Sequence, residues 1–570
     1  IKQGQINFHS KKGLSDSFFD VVALGGESHI ALQSKQLINQ PMEIIAKMAG
    51  SANIYQLLRW RAMPDLMLDA FTGDVSYQGD LSINRAQEGQ IEIKLQSRLV
   101  GASIGLPEPL RKSPEQEKTF DFELRSYGDD LLLKMAYDDR YRTRLALHAG
   151  ALVGGQLFVN QPTAFSEEIK AGFELNGQMS AFDWPAWLTY VRPYFPAEDT
   201  GTPNTAPFEI PSWLNNIQFI IDSLVVDDVN ELHNLKVSFD RTQSPDKFQI
   251  DSDELNLRLG RDEHGYVLHA GYISWNTSAT NDAAPSARVA PFKASQVPNV
   301  SIQVDELFYN GRSYGDWFVK VTNEGNRLRL QPLSTKLTHG EFIGNIFWQD
   351  DGDRSNVELL LSINGSDVGE LTRKFSPTPF LTSKNYKIDV NLSWLGHPFY
   401  FDRESVSGRI AFDAAKGKFT QVDELPPFLR ALGIFNINAL MRRLTFDFSD
   451  VYQPGLTYDE FNGVLTLQKG IVETTTPIEI HSPTAEIVLA GKADLVSQTL
   501  DEKLTATFPL GNTLPLAGLL LGAPQLAGLI YITDKLIGDQ LAKVTSVQYQ
   551  IKGPFDNPDV QPVKFSPREK

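Results

Sequence analysis

The residue types that carry most protein chemistry are few in this chain, and they are not spaced for a reaction. The 570 residues include nine histidines and no cysteine, so thiolate metal sites, cysteine nucleophiles and disulfides are excluded. The histidines show no metalloprotease spacing. The run Gly26-Glu27-Ser28-His29 is followed by Ile30, which breaks the nucleophile-elbow pattern of serine hydrolases. We therefore predict no catalytic residue and no enzyme activity.

Patterns for metals, cofactors and nucleic acid are also missing from the sequence. The run Asp350-Asp351-Gly352-Asp353 lacks the spaced ligands and terminal glutamate of a calcium loop, so a solvated hairpin turn fits it better. No phosphate loop or dinucleotide fingerprint occurs. The 53 basic and 70 acidic residues give a net charge of −17, which argues against a nucleic-acid partner. We predict no metal, no cofactor and no nucleic-acid partner.

Alternation of apolar and polar residues dominates the chain. Such alternation is typical of antiparallel strands with one apolar and one wet face. Turn signals such as Asn462-Gly463 and Lys469-Gly470 separate the runs. The apolar positions of the clearest runs are the candidate site residues: Phe120, Phe122, Leu124, Tyr386, Ile388, Val390, Leu392, Trp394, Leu444, Phe446, Phe448, Ala485, Ile487, Leu489, Val547, Tyr549 and Ile551.

A sheet with one apolar face must bury that face, and the predicted helices are too few to cover it. Two arrangements satisfy this demand. Two sheets face each other in sandwiches, or one sheet curls on itself and leaves an apolar groove. Base rates favour the sandwich, whereas an open groove needs a ligand to cover its lining. For any single candidate residue, plain core packing and ligand contact are equally good interpretations.

Short helices are predicted near residues 41–48, 54–61, 183–188 and 366–375, and the longest internal candidate is Leu425–Arg442. A different segment is the most unusual one, because the 26 residues from Phe508 to Thr533 carry no charge. We predict two apolar helices there, Leu516–Leu521 and Pro524–Lys543. They either plug the end of a sheet or contact a membrane or membrane protein, since the stretch is too interrupted to span a bilayer comfortably. The candidates for membrane contact are Leu514, Leu516, Leu519, Leu520, Leu521, Leu526, Leu529, Ile530, Tyr531 and Ile532.

Several pieces of sequence, in a fixed order, resemble the YhdP family of AsmA-like proteins. The strongest are Leu440–Phe448, Gly455–Gly463, Lys469–Thr474, and Leu514–Gly518 followed by Tyr549–Pro558. Upstream pieces that also resemble the family are Gly105–Leu110, Val304–Gly311 and Val390–Pro398. The resemblance covers essentially the whole chain and is strongest after Tyr386. None of these pieces is a catalytic signature.

The resemblance implies a mainly β fold. The expected architecture is an elongated, curled antiparallel β-sheet of repeating β-groove units, with an apolar concave face and a few short helices, including C-terminal helices. We expect β-groove blocks over 1–200 and 201–380, and a C-terminal AsmA-like β block over 381–512. Apolar C-terminal helices are expected over 513–545, and a final strand and tail over 546–570.

The resemblance also implies a function and a location. Members of the family are bridge-like lipid-transfer proteins, so the implied function is intermembrane phospholipid transport between the inner and outer membranes of a Gram-negative envelope. The implied partners are phospholipid acyl chains, the outer membrane or an outer-membrane protein at the C-terminal end, and the inner membrane through a missing N-terminal part. The chain begins Ile1-Lys2-Gln3 without methionine, so we expect a C-terminal portion of a periplasmic protein anchored in the inner membrane. The alternative is a non-transport periplasmic scaffold or envelope-assembly factor built of β-sandwiches.

Overall fold

The structure is a computed structural model. It describes residues 1–35, 42–61, 63–84, 90–162, 164–165, 171–194, 212–241, 247–263, 265–276, 293–337, 339–351, 355–375, 381–398, 401–419, 456–483, 485–509, 531–537 and 540–563. The chain divides into two compact units. Unit 1 comprises Ile1–Gly201, Glu209–His264 and Leu268–Ala279, and unit 2 comprises Thr202–Phe208, Gly265–Val267 and Thr280–Lys570.

Unit 1 is built on a ladder of strands that mostly pair with their neighbours in the sequence. Its strands are β1 (Gln3–Gln5), β2 (Phe8–His9), β3 (Gly13–Leu14), β4 (Ser17–Ala23), β5 (Gly26–Lys35), β6 (Glu43–Asn53), β7 (Phe71–Asn84), β8 (Gln90–Ser97), β9 (Ala102–Ile104), β10 (Phe120–Tyr127), β11 (Asp130–Tyr137), β12 (Tyr141–His148), β13 (Ala151–Val159), β14 (Gly172–Asp183), β15 (Leu214–Val225), β16 (Glu231–Asp240), β17 (Lys247–Asp251), β18 (Leu255–Asp262) and most of β19 (Gly265–Trp275). Pairing is antiparallel from β4 to β8, from β8 through β10 to β13, and from β15 to β18. The pairs β13–β14 and β14–β15 are parallel, so the sheet is mixed.

Unit 2 is a ladder of the same kind, and its described pairings are antiparallel. Its strands are β20 (Val300–Val304), β21 (Leu307–Tyr309), β22 (Arg312–Ser313), β23 (Trp317–Asn323), β24 (Arg327–Leu337), β25 (Gly340–Gln349), β26 (Asn356–Gly365), β27 (Leu381–Thr382), β28 (Asn385–Leu395), β29 (Ser407–Phe419), β30 (Leu456–Gln468), β31 (Ile471–Ser482), β32 (Ala485–Asp494), β33 (Thr499–Pro509), β34 (Tyr531–Ile537), β35 (Gln540–Pro554) and β36 (Asp559–Pro562). The order runs from β20 through β23 to β26, then β28 to β33, β35 and β36.

These ladders confirm the prediction of a mainly β fold with few short helices. Within each unit the long strands form one continuous ladder, not the two facing sheets of a sandwich. In neither unit do the described pairings join the first strand to the last, so the ladders are not closed into a barrel. The two parallel pairs of unit 1 depart from the predicted antiparallel pattern. A parallel pair cannot be joined by a tight hairpin and needs a crossover connection between its strands. These connections run from β13 to β14 and from β14 to β15.

The described α-helices are α1 (Ile54–Trp60), α2 (Asp65–Ala70), α3 (Trp184–Val191) and α4 (Val368–Phe375). Three of them were predicted. The side chains of Asn53 and Asp183 accept hydrogen bonds from backbone N–H groups in the first turns of α1 and α3, which fixes where these helices begin. The helix expected over 41–48 is wrong, because Glu43–Asn53 forms a strand between β5 and β7. Ladder pairing on both sides outweighed the weak helical pattern there.

The helix expected over Pro524–Lys543 is also wrong where the structure describes it. Tyr531–Ile537 is strand β34, and it pairs antiparallel with β35, which begins at Gln540. The missed signal is Gly538-Asp539 between two runs rich in β-branched residues, a typical two-residue hairpin connection. The predicted helices Leu425–Arg442 and Leu516–Leu521 lie outside the described residues. Every described helix is too short or too polar to cross a bilayer.

Candidate functional site: the apolar face of the sheet

Cross-strand partners point to the same face of a sheet, so the strand register sorts side chains into rows that run across the strands. In unit 2 one row is almost wholly apolar over twelve strands, and we name it the first row. Its members are Val300, Val321, Leu330, Ile346, Leu359, Leu392, Gly408, Leu467, Val472, Ala493, Leu500 and Gly553. At about 4.8 Å between strands, it follows the sheet for roughly 50 Å.

A second row lies on the same face, two residues away from the first along each strand except β24, where a bulge makes the separation three residues. Its members are Ile302, Val319, Leu333, Gly344, Leu361, Val390, Ile410, Leu465, Thr474, Gly491, Glu502, Ile551 and Val560. A third row begins Phe342, Ile363, Ile388 and Phe412. The side chains of the three rows form the apolar face of unit 2.

The structure brings several predicted site residues together on this face. Tyr386, Ile388, Val390, Leu392 and Trp394 alternate along β28, and each faces a glycine or an apolar residue of β26. Ile487 and Leu489 of β32 pair with Ile480 and Ile478, whereas Ala485 pairs with Ser482.

The remaining candidates of unit 2 divide between β35 and a part of the chain that is not described. Val547, Tyr549 and Ile551 pair with Ala506, Leu504 and Glu502. The candidates Leu444, Phe446 and Phe448 lie outside the described residues. So do the membrane-contact candidates from Leu514 to Ile530, whereas Tyr531 and Ile532 lie on β34. Their role in membrane contact stays a prediction.

Unit 1 carries an apolar row of the same kind over ten strands. Its members are Leu32, Ala46, Leu81, Ile93, Leu124, Leu133, Leu145, Gly155, Phe173 and Leu214. The predicted residue Leu124 belongs to this row, and Phe122 and Phe120 lie on the same face of β10. Gly155 is needed where it lies, because a Cβ there would come within 2.8 Å of the side chains of Leu145 and Phe173.

The opposite face of each sheet is polar and carries ion pairs. In unit 1, Arg125 lies 2.7 Å from Glu123 and 3.2 Å from Glu92. In unit 2, Asp501 of β33 lies 3.2 Å from Lys552. The hydrogen bond from the Lys387 side chain lowers the pKa of Asp389. Each described ladder therefore separates an apolar face from a charged one, as water on one side and hydrocarbon on the other require.

Burial of the apolar face changes along the chain. Leu124, Leu133 and Val390 are only half-buried. Further along unit 2, Ile478 and Leu489 are 1% exposed. Part of the face thus leaves apolar surface uncovered, whereas the part around β31 to β33 is a packed core.

Phenol groups on the packed part of unit 2 keep their protons and have defined partners. The Tyr386 hydroxyl donates to the backbone oxygen of His339 at 3.3 Å, and the Tyr458 hydroxyl donates to that of Thr382 at 2.7 Å. Burial raises the pKa of Tyr386 to about 12 and raises that of Tyr458 as well. Both groups are therefore neutral hydrogen-bond donors at physiological pH.

Glu502 also lies on this face, but it is not among the predicted site residues. It lies between Leu500 and Leu504 in β33 and points to the apolar face, yet it was not chosen because it is polar. Period-two alternation alone places it there, so the sequence held the signal. No group of three or more histidine, aspartate or glutamate residues in the described part of the chain is placed to hold a metal ion.

Comparison with protein families shows which family this chain belongs to. The profile of the YhdP protein family matches residues 2–560. The chain belongs to the YhdP family. The sequence is also similar to the intermembrane phospholipid transporter YhdP of Escherichia coli (strain K12), with 22% identity over 568 residues that cover 94% of this chain and 44% of that protein.

These findings confirm the resemblance that the sequence showed. The chain spans less than half the length of the transporter that it resembles. No solved structure matches the chain. The apolar rows of this YhdP-family member therefore have to be interpreted from their own geometry.

Proposed function

We propose that this chain carries phospholipids between the two membranes of a Gram-negative envelope, with the acyl chains on its apolar face. The observation that carries the proposal is the pair of unbroken apolar rows, over ten strands in unit 1 and twelve in unit 2, backed by a charged opposite face. Membership of the YhdP family and similarity to an intermembrane phospholipid transporter support it.

The physical role of such a face is to lower a barrier. Moving an acyl chain from a bilayer into water costs about 0.8 kcal/mol per CH₂ group. The first row of unit 2 is roughly 50 Å long, which exceeds the thickness of the hydrocarbon core of a whole bilayer, about 30 Å. An acyl chain can therefore move along the row without leaving apolar surroundings. The head group stays in water at the edge of the sheet. Such a slide needs no bond making or breaking, so the protein acts without catalytic residues.

The finer parts of the proposal concern the surroundings of the chain. The C-terminal end contacts the outer membrane or a protein in it, and the rest of the full-length protein anchors the chain in the inner membrane. The similar E. coli protein is named as an intermembrane transporter, which supports a location in the periplasm.

The test is lipid retention by the detergent-free 570-residue chain. Phospholipid is extracted from the purified protein and quantified by mass spectrometry against protein concentration. Val390→Asp places a charge on the second row, and Asn391→Asp places the same charge on the exposed opposite face of the same strand. We expect bound phospholipid in the wild type and in Asn391→Asp, and a large loss in Val390→Asp with an unchanged circular dichroism spectrum.

Two outcomes would contradict the proposal. A folded wild-type chain that retains no phospholipid favours a scaffold that only spans distance. Equal retention by both variants shows that the lipid does not lie on the apolar face.

A further inference from the structure

The second row of unit 2 is interrupted by two polar residues, one on each side of a glycine. After Leu465, the row continues with Thr474, Gly491 and Glu502 before it returns to Ile551. The Thr474 hydroxyl accepts a hydrogen bond from the backbone N–H of Gly491 at 2.8 Å. The threonine hydroxyl thus has a backbone partner, whereas the Oε2 atom of Glu502, on the other side of Gly491, has none among the described residues.

Glu502 is the only acidic member of the two rows and is deeply buried. The residue is 3% exposed, and its Oε2 atom has no hydrogen-bond partner among the described residues. Burial of the carboxyl raises the pKa of Glu502 to about 8. A buried polar atom without a partner is rare in native proteins, because it loses its hydrogen bonds to water without replacement. The carboxyl is therefore mainly protonated at neutral pH, and its Oε2 atom makes no hydrogen bond to the described residues.

The groups that face this carboxyl do not supply a charge. On β33 its neighbours on the same face are Leu500 and Leu504, and across the ladder it pairs with Gly491 and Ile551. Among residues 471–482, 485–494, 499–507 and 548–554, the one other titratable group on this face is Tyr549, whose pKa is also raised by burial. The charged residues of these four stretches, including the Asp501–Lys552 pair, lie on the opposite face.

The position of Glu502 along its strand fits one part of a lipid. The turn between β32 and β33 spans Leu495–Gln498, and its residues Val496, Ser497 and Gln498 are exposed to water. Leu500 forms the first row from this edge, and Glu502 lies about 7 Å further in. A lipid with its head group in water at the edge places its ester carbonyls at that depth. Leu489 and Leu504 further in are fully packed, so a lipid enters here only by displacing the side chains that cover this part of the face.

We propose that the protonated carboxyl of Glu502 donates a hydrogen bond to an acyl ester carbonyl of a glycerolipid held on the apolar face of unit 2. The inference rests on the proposed lipid-carrying function and adds a recognition site to it. A neutral carboxyl donates without the desolvation cost of a buried charge, as a carboxylic acid in an apolar site does. A lipid that inserts among the side chains covering Glu502 gives its hydrogen a partner.

The test compares a lipid that has the carbonyls with one that lacks them. The delipidated 570-residue chain is titrated at pH 7 with dioleoyl phosphatidylethanolamine and with its dioleyl diether analogue, and bound lipid is counted by native mass spectrometry. We expect the wild type to prefer the diester by about threefold to tenfold, the range for one net hydrogen bond. Glu502→Gln retains a donor and should keep the preference, whereas Glu502→Leu should bind both lipids equally.

The control is Glu473→Gln, which removes a carboxyl that lies on the opposite face beside Lys492 at 3.3 Å; it should behave as the wild type does. Equal binding of diester and diether by the wild type overturns the site but leaves the lipid-carrying function intact. A diester preference that survives in Glu502→Leu overturns it too. Binding of neither lipid to the folded wild type counts against the proposed function itself. Hydrogen-exchange protection of β32 and β33 checks that each variant is folded.

Discussion

Replacing Glu502 by glutamine should stabilise unit 2, and the gain should grow as the pH rises. In the unfolded chain the carboxyl is solvated and ionises near 4.5, whereas burial moves its pKa in the folded chain to about 8. Below pH 4.5 the carboxyl is protonated in both states, so its ionisation does not change the free energy of unfolding. Between these values only the unfolded chain releases the proton, so stability falls with rising pH. The full loss, reached above pH 8, is about 5 kcal/mol.

Glutamine has nearly the same shape but does not titrate, so the variant escapes this loss. From pH 5 to pH 8.5 the free energy of unfolding of the variant, relative to that of the wild type, should increase by about 4 kcal/mol. This corresponds to about a thousandfold change in the equilibrium constant for opening. Hydrogen exchange with mass spectrometry measures this locally, in peptides from β32 and β33. Comparing variant and wild type at each pH cancels the intrinsic exchange rates.

The exposed Glu473→Gln variant serves as the control, and it should show no such trend. If the ratio of protection between Glu502→Gln and the wild type is the same at pH 5 and pH 8.5, the carboxyl is not held protonated. The assignment of a neutral donor to the apolar face would then be refuted.

Three further perturbations test the packing around the site. Gly155→Val should destabilise unit 1 by about 1–3 kcal/mol, because its Cβ meets the Phe173 ring at 2.8 Å; urea unfolding at an unchanged midpoint would contradict the inferred crowding. Tyr458→Phe removes the donor to the Thr382 backbone oxygen and should lower the stability of unit 2 by about 1 kcal/mol. Hydrogen exchange in β27 should then be faster than in the wild type, and exchange at wild-type rates would show that the bond contributes nothing. Asp183→Ala removes the N-cap of α3 and should cost about 1 kcal/mol; peptides covering Trp184–Val191 should lose protection, and unchanged protection would show that other contacts fix the helix.

Sequence patterns captured what is local and missed what depends on pairing. Alternation identified the apolar positions of β28 and β32, since each strand records its own inward and outward residues. It did not identify partners such as Leu359 or Ala493, because register is set by contacts between distant strands. The parallel pairing of β13, β14 and β15 could not be predicted either. The alternation of residues along Gly172–Asp183 is the same whether its neighbouring strands run parallel or antiparallel to it.

The errors have the same physical origin. Glu43–Asn53 and Tyr531–Ile537 contain apolar residues at spacings that also suit a helix, and only ladder pairing on their flanks decides for the strand. Glu502 shows the opposite case, in which the pattern was clear but the residue type concealed it. A polar residue at an inward position of an alternating run should therefore be treated as a candidate site.

The neighbour-to-neighbour pairing of the strands has a consequence for how the chain folds. In a long antiparallel ladder most strands pair with a neighbour in the sequence, so the separation between contacting residues stays short relative to the length of the chain. Each new hairpin can dock on the strands before it as the chain emerges, without waiting for the C-terminus. The crossovers from β13 to β15 are the exception in unit 1, because each parallel strand must wait for a returning segment. Pulse-labelling should find this region closing later than the hairpins on either side of it.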